Sequence, residues 1–80
     1  MNINEAVKLR IIQLCKEKGL SRNKLSTVCG IPQTTLSNIY NRDNNNTTVI
    51  TVKKICDGLE ITMKEFFDSK LFDDLEQEIK

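Results

Sequence analysis

Apolar residues recur at helical spacing along most of the chain, and polar breaks between them predict where each helix ends. The first such stretch runs from Asn4 to Lys18 and stops at Gly19, after two lysines that suit the end of a helix dipole. Its buried side is predicted to hold Ala6 or Val7, Ile11, Leu14 and Cys15, with Leu9 and Ile12 at the edge. The chain therefore opens with an amphipathic helix.

Two short helices joined by a tight turn are predicted over residues 21–41. Ser21 is a suitable N-cap, Gly30 is a suitable left-handed stop, and Pro32 suits the first position of the second helix. The expected apolar stripes are Leu25, Val28 and Cys29 in the first helix and Leu36, Ile39 and Tyr40 in the second, with Ile31 filling the turn.

The second of these helices keeps one outward face that carries no charge and no large apolar group. That face is made of Gln33, Thr34, Ser37, Asn38 and Asn41. Amide and hydroxyl groups suit a helix that meets base edges, because Asn and Gln pair bidentately with adenine and Ser and Thr pair with several bases. Ordinary surface polarity is the alternative explanation of the same pattern.

Two more helices are predicted after a polar loop, residues 41–46. Thr47 or Thr48 caps the fourth helix, whose buried stripe is expected to hold Val49, Val52, Ile55, Cys56 and Leu59. Residues 47–52 are rich in β-branched side chains, but the stripe continues at helical spacing, so we predict helix and no strand. A capping box from Thr62 to Glu65 opens the fifth helix, and at least one of Phe66 and Phe67 is expected to anchor the core.

The last segment, residues 69–80, is predicted to be an amphipathic helix apart from the main domain of residues 1–68. Its stripe is Leu71, Phe72, Leu75 and Ile79, on an otherwise acidic sequence. Two interpretations stay open. The helix folds back onto the domain as a sixth helix, or it meets its twin in a homodimer.

Composition adds a charge asymmetry. The chain has 80 residues, 39% of them hydrophobic, with a net charge of +1. Residues 1–60 carry nine Lys or Arg against five acidic residues, and residues 61–80 carry three against six. A basic body with an acidic tail favours nucleic-acid binding by the body; two ordinary solvated surfaces are the alternative.

The chemistry needed for catalysis or metal binding is missing from the sequence. It holds no histidine, no Gly-rich phosphate loop and no C-x-x-C, so we expect no enzyme activity, no cofactor and no metal site. Cys15, Cys29 and Cys56 fall on apolar stripes and are expected to be reduced core thiols of a cytosolic protein. No signal peptide or membrane-spanning run is evident.

These features together resemble the helix-turn-helix of the phage repressor and Cro family, the xenobiotic-response-element type. The family has a small residue midway along the first helix of the motif, here Ser26, then glycine four residues later and a buried aliphatic six beyond that, here Gly30 and Leu36. The resemblance extends from about Glu5 to Phe67. It implies an all-α fold, a compact lambda-repressor-like domain of five to six helices with the motif at helices 2 and 3.

The resemblance also implies which residues meet DNA. Base contacts are expected from Gln33, Thr34, Ser37 and Asn38, and backbone contacts from Arg22, Asn41, Arg42 and Asn45. Arg22 stands where relatives commonly have a phosphate-contacting Gln. Many relatives also bury an Arg–Glu pair at the positions of Cys15 and Tyr40, and we interpret Cys15 against Tyr40 as its apolar replacement.

Two functional hypotheses follow. The first is a sequence-specific regulator of transcription, expected to be a repressor, that binds double-stranded DNA as a homodimer in the cytoplasm of a prokaryote, on the nucleoid. It has no membrane partner and no evident small-molecule ligand. The second is a protein–protein interaction module that uses the same helical fold and its acidic tail. Whether binding represses or activates stays open at this point.

Overall fold

The computed structural model describes residues 1–41 and 47–79, and within them the chain is helical with no strand. Five α-helices follow one another: α1 (Ile3–Lys18), α2 (Arg22–Cys29), α3 (Gln33–Asn41), α4 (Val49–Leu59) and α5 (Met63–Phe67). A short 3-10 turn, Lys70–Phe72, comes after α5. The predicted all-α fold class is confirmed. None of the helices described is long and apolar enough to cross a membrane.

The helix ends follow local capping chemistry. The side chains of Ser21 and Thr48 accept backbone N–H groups at the starts of α2 and α4, and Thr62 and Glu65 form the predicted capping box of α5. Gly19 and Gly30 end α1 and α2 in the left-handed conformation, with φ of 66° and 65°. These features confirm the predicted starts of α2, α4 and α5 and the predicted ends of α1 and α2.

Two boundaries differ by a residue. The first helix begins at Ile3, after an N-cap at Asn2, where the sequence predicted Asn4. We expected Pro32 at the first position of the second motif helix, but α3 begins at Gln33. The Pro32 carbonyl accepts the N–H groups of Thr35 and Leu36 at 3.0 and 3.2 Å, so Pro32 precedes the helix and supplies its first acceptor. Gln33 is therefore the first residue of α3.

The core is built from the inner faces of all five helices and the turn before α3. Its apolar members are Ala6, Val7, Ile11, Leu14, Cys15, Leu25, Cys29, Ile31, Leu36, Ile39, Val52, Ile55, Cys56, Leu59 and Phe66. The expected anchor is Phe66, since Phe67 is exposed.

Two residues that were predicted to be buried are exposed. Val28 is 39% exposed because it lies on the flank of α2, while Leu25 and Cys29 face inward. Val49 is 73% exposed because the first turn of α4 projects beyond the core, so the buried stripe of α4 begins at Val52.

Helices α2 and α4 approach closely at Gly58. A Cβ on this residue would lie 2.4 Å from Cys29 Sγ and 2.9 Å from both Cys29 Cα and the Val28 carbonyl oxygen. No larger residue fits there without displacing backbone. Glycine at this point therefore lets α4 support the back of the helix-turn-helix.

A buried arginine joins α1 to the end of α5. Arg10 donates from Nε to the Phe66 carbonyl at 2.6 Å and from Nη2 to the Glu65 carbonyl at 2.8 Å, and its Nη1 donates to Gln13 Oε1. A cation suits these positions because the last carbonyls of a helix carry partial negative charge. Arg10 thus fixes a helix of only five residues against the longest one.

The predicted C-terminal helix over residues 69–80 is not formed. Ser69 caps the 3-10 turn, and no regular helix follows as far as residue 79. The ring centroids of Phe72 and Phe67 are 4.9 Å apart. The Glu76 N–H donates to the Met1 carbonyl at 3.1 Å, and Ile79 is 89% exposed. A helix of about 12 residues is marginal unless a long apolar face is covered. Here Leu71, Phe72 and Leu75 are no more than half-buried, and Ile79 is exposed.

Candidate nucleic-acid interface

The turn between α2 and α3 is fixed by a few local contacts. The Ser26 hydroxyl donates to the Ile31 carbonyl, and the Ile31 N–H donates back to the Ser26 carbonyl at 3.2 Å. Gly30 supplies the left-handed residue between them, and the Ile31 side chain is buried. The angle between the two helices is thereby set by Ser26, Gly30 and Ile31 and not by the exposed residues of α3.

The outward face of α3 lies in solvent as predicted. Gln33, Thr34, Asn38 and Asn41 are exposed and Ser37 is half-buried, while Leu36 and Ile39 point into the core. At about 100° per residue, the five polar residues occupy an arc of about 140° around the helix. This polar face, which we call the α3 face, presents amides and hydroxyls without a formal charge.

The amide of Gln33 is oriented by a residue that the sequence did not single out. Gln33 Nε2 donates to Asn23 Oδ1 across the two motif helices at 2.9 Å. The carbonyl oxygen Oε1 and the second N–H of Gln33 remain for another partner. An amide with one acceptor and one donor in fixed orientation is what bidentate pairing with adenine requires.

A second contact joins two predicted site residues to each other. Asn41 Nδ2 donates to Ser37 Oγ at 3.0 Å, one turn apart on α3. Ser37, expected at a base, and Asn41, expected at the DNA backbone, are therefore neighbours on the α3 face.

Arg22 is the first residue of α2, and its side chain lies against an aromatic ring. Its guanidinium carbon is 5.4 Å from the ring centroid of Tyr40, which is half-buried on α3. The side chain of Arg22 is exposed. A cation at this distance over an aromatic face is attracted by the negative face of the ring.

The predicted contact between Cys15 and Tyr40 is present, although it is not purely apolar. Burial raises the pKa of Tyr40 to about 12, and the neighbouring Cys15 thiol adds to this shift. Burial also raises the pKa of the Cys15 thiol. Both groups therefore stay neutral at ordinary pH, as a replacement for a buried ion pair should.

Two of the predicted backbone contacts, Arg42 and Asn45, lie outside the described residues. Nothing in residues 1–41 and 47–79 gathers three His, Cys, Asp or Glu side chains in a way that could hold a metal ion. What the described surface offers is hydrogen-bond donors and acceptors on α3, beside a cation at the start of α2.

Comparison with known proteins points to the same helix-turn-helix, formed by α2 and α3. The family model for the Cro/C1-type helix-turn-helix DNA-binding domain matches residues 10–70. The crystal structure of a wild-type restriction-modification controller protein, C.Esp1396I, superposes with a TM-score of 0.71 and 28% sequence identity, covering 80% of this chain and 81% of the controller. No curated protein matches significantly.

Proposed function

Because the chain belongs to the Cro/C1-type helix-turn-helix DNA-binding family, and so is a DNA-binding regulator of transcription, we propose that it is a sequence-specific repressor. It binds double-stranded DNA as a homodimer and inserts α3 into the major groove. The observation that carries the proposal is the exposed, charge-free α3 face, held rigidly by the turn at Ser26 and Ile31. Its place of action is the nucleoid of a prokaryotic cell.

Base recognition is assigned to Gln33, Thr34, Ser37 and Asn38. The amides of Gln33 and Asn38 can each donate to and accept from an adenine edge, and the Thr34 methyl can contact a thymine methyl. Gln33 is expected to make the main base contact because it is the first residue of α3, and recognition helices contact bases with their N-terminal residues.

Contacts to the DNA backbone are assigned to Arg22, Asn41, Arg42 and Asn45. Arg22 stands at the start of α2, where free N–H groups and the helix dipole favour a phosphate. Such contacts fix the register of the protein on DNA without reading sequence.

A homodimer follows from the size of the site. One recognition helix covers a few base pairs, so helix-turn-helix proteins pair two copies on half-sites about one helical turn apart, roughly 34 Å. Selection from random duplexes should then return a palindromic consensus. A non-palindromic consensus would contradict the homodimer, and failure to select any DNA would favour the protein–protein module.

A second candidate role comes from the solved relative, which is named as a restriction-modification controller. At 28% identity over most of both chains, this protein is a candidate to control such a gene pair. A selected consensus that lies upstream of restriction and modification genes would favour this role over that of another repressor.

The division between base and backbone contacts can be tested with two variants. Arg22→Ala should weaken binding about equally on cognate and random DNA and reduce the salt slope by about one. Gln33→Ala should weaken cognate binding only, with the slope unchanged. Dissociation constants of both variants on both duplexes across a salt series measure this.

The outcomes separate the assignments. If Arg22→Ala weakens cognate binding alone, Arg22 reads bases and the backbone assignment is wrong. If Gln33→Ala weakens both duplexes alike, the orientation of α3 in the groove is wrong. Each variant serves as the matched control of the other because both change one exposed residue at a helix start.

A further inference from the structure

Three helices meet through a stack of side chains behind the proposed phosphate contact. Tyr40 on α3 lies between Arg22 of α2 and Cys15 of α1, with its ring toward the guanidinium and its hydroxyl toward the thiol. From this arrangement we propose that Tyr40 is a positioning residue, whose ring holds the Arg22 guanidinium ready for a DNA phosphate. The proposal rests on the proposed function, since it presumes that Arg22 contacts DNA.

Stacking and phosphate binding use different parts of the guanidinium. The guanidinium carbon of Arg22 lies over the Tyr40 ring, 5.4 Å from the ring centroid. A guanidinium has five N–H donors, and a contact with a ring face leaves donors free for phosphate. A guanidinium can therefore bind phosphate bidentately without leaving the ring. A lysine has a point charge and no planar face, so it cannot make this stack in the same way.

The benefit of the stack is restricted motion. A free arginine side chain at the surface loses considerable rotamer freedom when it binds, and a side chain already held in the bound geometry loses less. Arg22 is exposed, so without a neighbour it would sample many rotamers. Tyr40 is the neighbour that limits them.

Tyr40 can hold Arg22 only if it is itself fixed. Its side chain is half-buried and packs against the hydrophobic core, which includes Cys15 of α1, and the adjacent Ile39 is buried. The ring is thereby anchored from α1 and from its own helix. Through this ring the packing of α1 sets the position of a side chain on α2.

A double-mutant cycle on DNA binding tests the coupling. The proteins are the wild type, Tyr40→Leu, Arg22→Ala and the double variant, each titrated with a short duplex of random sequence at low salt. We expect Tyr40→Leu to weaken binding roughly two- to fivefold. In the Arg22→Ala background the same change should have no further effect, because the residue that Tyr40 positions is gone.

Two further variants sharpen the result. Tyr40→Phe keeps the ring and should bind as the wild type does. Arg22→Lys keeps the charge without the planar face, so it should lose a similar two- to fivefold in affinity with the salt slope unchanged. This variant leaves Tyr40 intact and tests the proposal even if Tyr40→Leu fails to fold. Tyr40 is the only tyrosine and there is no tryptophan, so its fluorescence also reports the loss of the stack in Arg22→Ala.

The results that overturn the proposal differ from those that overturn the function. An equal loss for Tyr40→Leu in both backgrounds means that the ring acts on the fold in general and does not position Arg22. Wild-type affinity for Arg22→Lys also contradicts the positioning role. Unchanged binding by Arg22→Ala on every duplex instead removes the phosphate contact from the proposed function.

Discussion

Gly58 is the residue at which helix propensity and tertiary packing make opposite predictions. Alanine in the middle of a helix is favoured over glycine by about 1 kcal/mol. At this position, however, the added Cβ would lie 2.4 Å from Cys29 Sγ. We expect overpacking to dominate, so Gly58→Ala should lower the free energy of unfolding by about 1–3 kcal/mol in urea denaturation.

The double variant Cys29→Ala with Gly58→Ala is the control for this prediction. It removes the sulfur atom, but the Cys29 Cα and the Val28 carbonyl would still lie 2.9 Å from the new Cβ. Rescue should therefore be partial. A single Gly58→Ala variant that is more stable than the wild type would mean that α2 and α4 move apart at little cost.

At the scale of single residues, the sequence predicts what depends on near neighbours. Ser21, Gly30 and the Thr62–Glu65 box are local signals, and the structure confirms each of them. Gly58 and Arg10 were missed because their roles depend on atoms far along the chain, as in the contact of Arg10 with the Phe66 carbonyl. The spacing of Arg10 with Val7 and Leu14 placed it on the buried face of α1, and this spacing could have indicated that Arg10 is buried.

Among the elements, α5 offers a direct test of its capping box. The Thr62 backbone N–H donates to Glu65 Oε1 at 3.0 Å, and this bond, followed by the Thr62 side chain, lowers the pKa of Glu65. A carboxylate with a lowered pKa stabilises the folded state above its ordinary pKa of 4.5, and this contribution is lost as the pH falls through the folded-state value. Glu65→Gln keeps an acceptor for the same N–H but does not titrate.

We therefore expect the wild type and Glu65→Gln to differ in melting temperature above pH 4.5 and to converge as the medium becomes more acidic. Thermal unfolding followed by circular dichroism at a series of acidic pH values measures the difference. A difference that stays constant across the series would show that the charge of Glu65 is not linked to folding.

The elements also show where sequence patterns stop being sufficient. All five α-helices were predicted, because each combines an apolar stripe with local start or stop signals. The tail has a comparable stripe but no helix, since Phe72 packs against Phe67 while Ile79 is left 89% exposed. A stripe indicates which residues would be buried in a helix, but not whether another surface is there to bury them.

In the candidate site, too, some features could be predicted from the sequence and others could not. Exposure of the α3 face followed from the spacing of Leu36 and Ile39, so those residues could be chosen from the sequence. The contacts from Gln33 to Asn23 and from Arg22 to Tyr40 could not, because they cross between helices whose angle is set by the turn.

Across the whole molecule, one feature of the core joins three helices. Cys15 of α1, Cys29 of α2 and Cys56 of α4 are buried and free of disulfides, as their positions on apolar stripes predicted. Burial raises the pKa of all three thiols, and the pKa of Cys29 reaches about 11. Cys15 and Cys56 add to the effect on Cys29, because a thiolate at either would repel a second one.

We expect the domain to lose stability at alkaline pH for this reason. A thiol with a raised pKa holds its proton more tightly in the folded state than in the unfolded chain. Its contribution is fully present below the ordinary pKa of 9.0 and is lost as the pH rises through about 11. For Cys29 alone the loss at pH 11 is about 2 kcal/mol.

Urea denaturation at a series of pH values from neutral to about 11, in the presence of a reducing agent, measures this loss. Cys29→Ala is the control, because it removes the titrating group and keeps the lysines that titrate in the same range. At neutral pH this variant should be less stable than the wild type, since it loses buried volume. Above pH 9.0 its stability should fall less steeply than that of the wild type. If the two stability curves run parallel throughout, the Cys29 thiol is not linked to alkaline unfolding, and other groups must account for any loss.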